Sequence, residues 1–138
     1  MLRGLTTIIY VAEDVAAAQR WYTDVLGVEA YFVRSAGNAP AYVEFRIGDY
    51  LQELGIVDAR FAPHPRPDHP AGVVAYWAVD DIAASVDRLV GLGASVHEPT
   101  TVRGDGYVTA SVVDPFGNVL GVMRNQHYLD VLAGGRRS

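Results

Sequence analysis

The segment Glu13-Asp14-Val15-Ala16-Ala17-Ala18 is repeated 67 residues later as Asp80-Asp81-Ile82-Ala83-Ala84-Ser85. Each copy follows a β-rich run and leads into apolar residues at helical spacing that end at a Leu-Gly pair. Asp14 and Asp81 are suited to accept hydrogen bonds from the first free N–H groups of the two predicted helices. An internal repeat of this length indicates that the chain consists of two related modules.

Three extended segments follow each predicted helix, and one precedes it. Gly and Asn or Asp residues between these segments suit tight turns, which favours strands joined as hairpins. The two halves are therefore both predicted to be β-α-β-β-β. The predicted strands cover residues 5–11, 29–34, 41–47 and 50–57 in the first half, and 73–79, 94–97, 107–113 and 119–124 in the second.

A proline-rich segment separates the two halves. Proline lacks a backbone N–H and fixes φ, so this segment is predicted to be a semi-rigid linker and neither helix nor central strand. The predicted organisation is a single domain over residues 1–138, with module one at 1–61, the linker at 62–72 and module two at 73–138. Residues 134–138 are expected to form a frayed tail.

Composition excludes several classes of partner. Eleven basic residues stand against sixteen acidic ones, a net charge of −5, and a surface of that sign is unsuited to the phosphate backbone of nucleic acids. Cysteine is absent, which excludes disulfides and thiolate metal sites. No apolar run approaches the roughly 20 residues that span a bilayer, and no signal peptide is visible. We expect a cytoplasmic protein with no nucleic-acid or membrane partner.

The chain resembles the vicinal oxygen chelate superfamily, which includes glyoxalase I, bleomycin-resistance proteins and extradiol dioxygenases. Within this superfamily it is most similar to a glyoxalase-like subgroup. The motifs that carry the resemblance are residues 14–27, Val79-Asp80-Asp81-Ile82, Leu92-Gly93-Ala94 and Asp114-Pro115-Phe116-Gly117-Asn118. The resemblance implies an α+β fold in which the two modules form an eight-stranded, open, barrel-like sheet around a concave ligand cup. It also implies a homodimer.

Metal-dependent members of that superfamily carry one ligand on the first strand and one on the last strand of each module. The positions that match are Thr7, Glu53, Val74 and Gly121, of which only Glu53 has a competent side chain. Because a divalent ion needs several oxygen or nitrogen ligands at once, we expect no metal and no other cofactor at this place.

Glu53 is the candidate catalytic residue, since a partly desolvated carboxylate can bind a ligand or act as a general base. The alternative is a remnant carboxylate paired with Arg46 or with water. Side chains alternate between the two faces of a strand, which places Tyr76, Tyr107 and Met123 on the same face as the matched positions. For Tyr76 the alternative is a packing role with its hydroxyl at the rim of the cup. The residues expected to bind a ligand are Thr7, Glu53, Tyr76, Tyr107 and Met123.

The remaining conspicuous residues are expected to be structural. His64 and His69 lie in the linker with no third metal ligand nearby in sequence, and His97 and His127 have no triad partner at a recognisable spacing. All four are predicted to be surface histidines. Residues 114–118 have the composition of a turn, in which Asp and Asn bond the local backbone.

Two functions are compatible with these residues. The first is a metal-independent protein that binds or sequesters a small molecule, as bleomycin-resistance proteins do, and the negative charge suits a cationic compound. The alternative is a glyoxalase-like lyase, isomerase or dioxygenase. It would use Glu53 as a base, or a metal site completed by ligands such as Glu44 or His127 from a neighbouring chain, and a divalent metal is expected only in this case.

Overall fold

The structure is a computed structural model that describes residues 1–134. The chain divides into two compact units, Met1–Asp68 and His69–Ser138, and the boundary falls inside the predicted linker. The first unit contains β1 (Thr7–Ala12), α1 (Val15–Leu26), β2 (Phe32–Ala36), β3 (Ala39–Ile47), β4 (Gln52–Asp58) and a 3₁₀ turn (Ala59–Phe61). The second contains β5 (Ala75–Ala78), α2 (Ile82–Gly91), β6 (Ser95–Gly104), β7 (Tyr107–Val113), β8 (Val119–Asn125) and α3 (Gln126–Gly134).

The first unit is a four-stranded sheet with strand order β1-β4-β3-β2, packed against α1. Strand β1 runs parallel to β4, and the other neighbours are antiparallel. Helix α1 begins where predicted, because the Asp14 carboxylate accepts a hydrogen bond of 3.0 Å from the Ala17 N–H. It ends at Gly27, whose φ of +70° favours glycine.

Burial alternates along β3, where Val43 and Phe45 are fully buried while the residues between them are partly exposed. The buried residues pack on the same side as α1, whose Tyr22 is also fully buried. The other side of this sheet faces away from α1, and we call it the first open face. It is formed by Thr7, Ile9, Phe32, Tyr42, Glu44, Arg46, Glu53 and Gly55.

The second unit repeats this plan with strand order β5-β8-β7-β6 and α2 on one side. The Asp81 carboxylate caps α2 through the Ala84 N–H at 3.0 Å. Ile82 and Leu89 of α2 belong to the core, together with Val112 and Leu120 of the sheet. The side of this sheet that faces away from α2 is called the second open face. It carries Tyr76, Tyr107, Thr109, Ser111, Gly121 and Met123.

The predicted α+β class and the tandem β-α-β-β-β modules are therefore confirmed. The limits of several strands differ by up to three residues from those predicted, as at β2, and three further differences are local. Strand β6 continues to Gly104 instead of ending at residue 97, because its whole length pairs with β7 across several register shifts. Helix α3 was not predicted; it begins where Asn125 Oδ1 accepts a hydrogen bond from the Tyr128 N–H at 3.0 Å. Gly134 belongs to this helix and not to a tail, and residues 135–138 lie outside the described part.

The segments predicted to be structural behave as expected. Residues 62–72 contain neither helix nor strand. In the turn between β7 and β8 the buried Asp114 carboxylate accepts hydrogen bonds from Phe116 N at 2.9 Å and Asn118 N at 2.8 Å. The four histidines, His64, His69, His97 and His127, are all exposed. Within residues 1–134, no helix combines the length and the apolar composition needed to span a membrane.

Candidate functional site

Glu53 lies on the first open face with each carboxylate oxygen held by a hydroxyl. Strands β1 and β4 place Thr7 directly beside Glu53, and Thr7 Oγ1 donates a hydrogen bond of 2.8 Å to Glu53 Oε1. From the other side the Tyr31 hydroxyl donates to Oε2 at 3.3 Å. Two side chains that approach from different directions fix the carboxylate, which leaves its remaining lone pairs to face a ligand.

Arg46 is the cross-strand partner of Glu53 on β3, yet it does not form an ion pair with Glu53. Its guanidinium instead lies over the ring of Tyr31, with Cζ 4.2 Å from the ring centroid. A guanidinium on an aromatic face keeps its N–H edge free for other acceptors. The alternative considered from sequence, a carboxylate paired with Arg46, therefore differs from the structure, in which hydroxyls hold Glu53.

A second carboxylate, Glu44, lies next to this group on the same face. The Tyr42 hydroxyl donates a short hydrogen bond to Glu44 Oε1. Burial and the nearby charge of Glu53 raise the pKa of Glu44, and Arg46 opposes this increase. Burial, and then the charge of Glu53, also raise the pKa of Tyr42. Both shifts have the sign expected when negative charge is concentrated on a partly desolvated surface.

Aromatic rings and a glycine shape the surface around the two carboxylates. Phe32 and Tyr42 lie with ring centroids 6.3 Å apart. Gly55 lies between Ile9 and Glu44 in the sheet, and a Cβ at this residue would meet Ile9 Cδ1 at 2.7 Å and Tyr42 Cε1 at 2.7 Å. The absence of a side chain at Gly55 therefore leaves room for the Tyr42 ring, whose hydroxyl binds Glu44.

The second open face holds the other predicted ligand-binding residues. Tyr76 is 42% exposed and Tyr107 36% exposed, and both point away from α2 as strand parity predicted. Met123 is half-buried and is paired with Thr109 on β7. The structure thus groups Thr7 with Glu53 in one unit, and Tyr76, Tyr107 and Met123 on one face of the other.

In the register of β5 and β8, Gly121 is paired with Tyr76. Tyr76 lies two residues after Val74 in the chain. The Tyr76 ring covers this glycine, since a Cβ at residue 121 would lie 2.5 Å from Tyr76 Cδ1. The space into which a side chain at residue 121 would project is therefore filled by an aromatic ring.

The family of the chain follows from comparison with known proteins. The model of the Glyoxalase/Bleomycin resistance protein/Dioxygenase superfamily matches residues 4–122. The chain belongs to this superfamily. A search of the curated proteins found no match.

Solved structures of the superfamily share the fold. A glyoxalase-related enzyme from Fulvimarina pelagi is 19% identical, with a TM-score of 0.70 over 91% of this chain and 90% of that one. A lactoylglutathione lyase from Agrobacterium tumefaciens is 23% identical, with a TM-score of 0.67 over 93% and 98%. A glyoxalase / bleomycin resistance protein from Catenulispora acidiphila is 20% identical, with a TM-score of 0.56 over 87% and 97%. At these identities the likeness extends to the fold alone.

The donor set of the chain does not fit the divalent ion that metal-dependent members of the superfamily hold. Glu53 is the one competent ligand among the four matched positions, because Thr7 offers only a neutral hydroxyl, which donates to Glu53 Oε1. The Val74 side chain has no donor atom, and Gly121 has no side chain and is covered by the Tyr76 ring. Over residues 1–134, no group of three His, Cys, Asp or Glu side chains is arranged to hold a metal ion.

Sequence reasoning missed two residues of this site and underused a third. Tyr31 carries no signal in the sequence, because its role depends on which strand lies beside β4 and in which register. Glu44 was considered only as a ligand to a recruited metal. Strand alternation along β3 did carry a signal, since Tyr42, Glu44 and Arg46 share one parity.

Proposed function

We propose that the chain binds a small organic ligand on the first open face without a resident divalent metal. The observation that supports this most directly is the Glu53 carboxylate, which Thr7 and Tyr31 hold in one orientation on the side of the sheet away from the helix. A polar group fixed by its neighbours binds a ligand without the cost of ordering it first. Membership in a superfamily that includes bleomycin-resistance proteins is consistent with a binding role.

The charges on this face favour a ligand that carries a positive or strongly hydrogen-bonding group. Glu53 and Glu44 lie close enough for the charge of one to raise the pKa of the other. A cationic group placed between them would relieve this repulsion, and the whole chain carries a net charge of −5. Tyr31 and Phe32 are 44% and 39% exposed, so they offer ring surface to the apolar part of the same ligand.

The proposal can be tested with benzylamine and its uncharged isostere benzyl alcohol as probes. We expect benzylamine to bind the wild-type protein more tightly than benzyl alcohol does, as measured by calorimetry. Glu53→Gln keeps the shape of the side chain but removes its charge, and should weaken benzylamine binding by about tenfold or more, because a charge-assisted hydrogen bond is lost. Binding of benzyl alcohol should change little.

Asp87→Asn is the matched control, since it removes an exposed carboxylate from α2 in the other unit. This variant should bind benzylamine as the wild type does. Equal affinity of the wild type and Glu53→Gln for benzylamine would contradict the binding role of Glu53. One equivalent of nickel, iron, manganese or zinc retained per chain after dialysis, measured by elemental analysis, would contradict the absence of a resident metal.

A second candidate function is a lyase or isomerase reaction that depends on proton transfer. The observation that favours it is the raised pKa of Glu44, a carboxyl that is hydrogen-bonded to Tyr42 and lies next to Glu53. Carboxyls with raised pKa values are suited to exchange protons near neutral pH. In this case Glu53→Gln would abolish turnover of a substrate while the unfolding midpoint stayed unchanged. The homodimer and the cytoplasmic location stay predictions.

A further inference from the structure

Arg46 lies beside both carboxylates of the first open face without pairing with either. It is the cross-strand partner of Glu53 in the β3–β4 register, and it follows Glu44 by two residues on the same side of β3. In the described part of the chain, none of its nitrogen atoms lies within 4.0 Å of an oxygen of either carboxylate. The opposite charges of this face are therefore neighbours that do not neutralise one another by direct contact.

Tyr31 holds the two kinds of charge apart. Its ring lies under the Arg46 guanidinium, with Cζ 4.2 Å from the centroid, and its hydroxyl donates to Glu53 Oε2 at 3.3 Å. The Tyr31 backbone is anchored to β3, since its N–H donates to the Glu44 carbonyl oxygen at 3.0 Å. A guanidinium on an aromatic face is oriented while its N–H groups stay available. One tyrosine thus fixes a cation and an anion at a set separation.

Hydroxyl groups orient the carboxylates as well. Thr7 Oγ1 donates to Glu53 Oε1 at 2.8 Å, and the Tyr42 hydroxyl donates to Glu44 Oε1. Neither contact supplies a positive charge, so the negative charge of each carboxylate is not compensated by these partners. Cross-strand neighbours have Cβ atoms about 5 Å apart, and alternate residues of one strand lie about 7 Å apart. One small molecule can therefore contact Glu53, Glu44 and Arg46 together.

We propose that the ligand of the first open face is a small zwitterion, with an ammonium group and a carboxylate on the same or neighbouring carbon atoms. The ammonium lies between Glu53 and Glu44, and the carboxylate accepts paired hydrogen bonds from the N–H groups of Arg46. The apolar part of the ligand lies against the Phe32 ring, which is 39% exposed. The cationic half of this ligand rests on the proposed function, whereas its anionic half is assigned from Arg46.

The same three charges disfavour ligands that carry a charge of one sign only. A simple cation that binds the carboxylates is repelled by Arg46, and a simple anion that binds Arg46 is repelled by the carboxylates. A carboxylate attached next to the ammonium turns the first repulsion into an attraction. Because attraction and repulsion together give specificity, Arg46 is the residue that separates zwitterions from plain amines.

Arg34 on the edge strand β2 is the other cation close to this face. Its guanidinium lies over the Phe32 ring, with Cζ 5.7 Å from the centroid. In the strand order β4-β3-β2 it is two strand spacings from Glu53, about 10 Å, whereas Arg46 is one spacing away. An ammonium and a carboxylate joined by one or two carbon atoms need the nearer cation, which is Arg46.

Three aromatic amines test this assignment. Phenylglycine is benzylamine with a carboxylate on the carbon that bears the nitrogen, and phenylglycinamide has a neutral amide in place of that carboxylate. Binding to the full chain is measured by calorimetry at about pH 6, where the amino groups are protonated. The wild type should bind phenylglycine about tenfold more tightly than phenylglycinamide, because only the acid forms a charge-assisted pair with Arg46.

Arg46→Gln keeps a polar side chain but removes its charge. Phenylglycine should bind this variant about tenfold more weakly, whereas benzylamine and phenylglycinamide should bind as tightly as before or more so, because a repelling cation is gone. Retained binding of these two amines also shows that the variant is folded. Arg20→Gln is the matched control, since it removes an exposed arginine of α1 on the other side of the same sheet. It should bind all three compounds as the wild type does.

Equal affinity of the wild type for phenylglycine and phenylglycinamide would overturn the zwitterion assignment. An equal loss of phenylglycine binding in Arg46→Gln and Arg20→Gln would overturn it too, since the effect would then come from net charge alone. In either case, benzylamine binding that Glu53→Gln weakens would still support the proposed function. If Glu53→Gln left benzylamine binding unchanged, the proposed function would fail, and the zwitterion with it.

Discussion

Gly121→Ala gives the sharpest test of how β5 and β8 pack on the second open face. The new Cβ would lie 2.5 Å from Tyr76 Cδ1 and 2.9 Å from its Cγ. Carbon atoms that are not bonded to each other pack at about 3.5–4.0 Å, so the ring must move by about 1 Å or more. Because Cγ is on the axis of the ring, rotation of the ring alone cannot relieve the overlap, and χ1 of Tyr76 must change.

The cost follows from this displacement. Overpacking of a tight contact typically costs ~1–3 kcal/mol, and the partly exposed Tyr76 can swing into solvent, so we expect Gly121→Ala to destabilise the protein by ~1–2 kcal/mol. Urea unfolding of the wild type, the two single variants and the Tyr76→Ala/Gly121→Ala double variant measures this cost. In the Tyr76→Ala background the ring is gone, and Gly121→Ala should cost less than ~0.5 kcal/mol.

Gly91→Ala serves as the control, because this helical glycine has no atom near the place of a new Cβ. It should be neutral or stabilising by up to about 1 kcal/mol, since alanine is the better helix former. If Gly121→Ala cost the same with and without the Tyr76 ring, the ring would not be the cause of the strain, and the contact inferred between Tyr76 and Gly121 would be refuted.

Two further predictions concern carboxylates. The pKa of Glu44 is raised by burial and by the charge of Glu53, so between its ordinary and raised pKa the folded state holds a proton that the unfolded state has lost. Wild-type stability therefore falls as pH rises through that window, and the stability of Glu44→Gln relative to wild type should increase in urea unfolding as pH rises above the ordinary glutamate pKa of about 4.3. Asp114→Ala should destabilise the protein by ~2–4 kcal/mol, because it removes a buried carboxylate that accepts from two partly buried backbone N–H groups of the β7–β8 turn.

Each of these two predictions has an outcome that would contradict it, and the second has a control variant, Asp14→Ala. A stability difference between Glu44→Gln and wild type that does not change with pH would contradict the shift in the pKa of Glu44. Asp14→Ala removes an exposed helix cap and should cost about 1 kcal/mol. If Asp114→Ala cost no more than Asp14→Ala, the hydrogen bonds of the turn would be less important than the structure indicates.

The features that were predicted correctly depend on residues close together in the chain. The Asp14 and Asp81 caps each bond an N–H three residues away, and Asp114 bonds groups two and four residues away. Chemistry at such short range is visible in the sequence itself. The internal repeat then extended these local features to two modules of the same design.

The predictions that failed or fell short involve partners that are distant in sequence or sensitive to context. Strand β6 is longer than its own composition suggested, because pairing with β7 maintains it through irregular register. Helix α3 begins at a single asparagine cap that resembles any other polar residue in the sequence. Leu51 falls inside the strand predicted over residues 50–57, but it lies in the turn before β4 with φ of +53°.

The sequence by itself determined the order of helices and strands, their capping and turn chemistry, and the presence of one carboxylate where the superfamily often holds a metal ion. Only the tertiary structure decided which residues contact that carboxylate, Glu53, and which residue contacts Gly121 at the matching position of the second unit. Strand pairing brings Thr7 to Glu53 and the Tyr76 ring to Gly121, and Tyr31 reaches Glu53 from just before β2. The residues in these contacts are 22 to 46 positions apart in the chain. Such contacts depend on the register of the sheet, and a shift of two residues would exchange every one of them while leaving the alternation of polar and apolar residues intact.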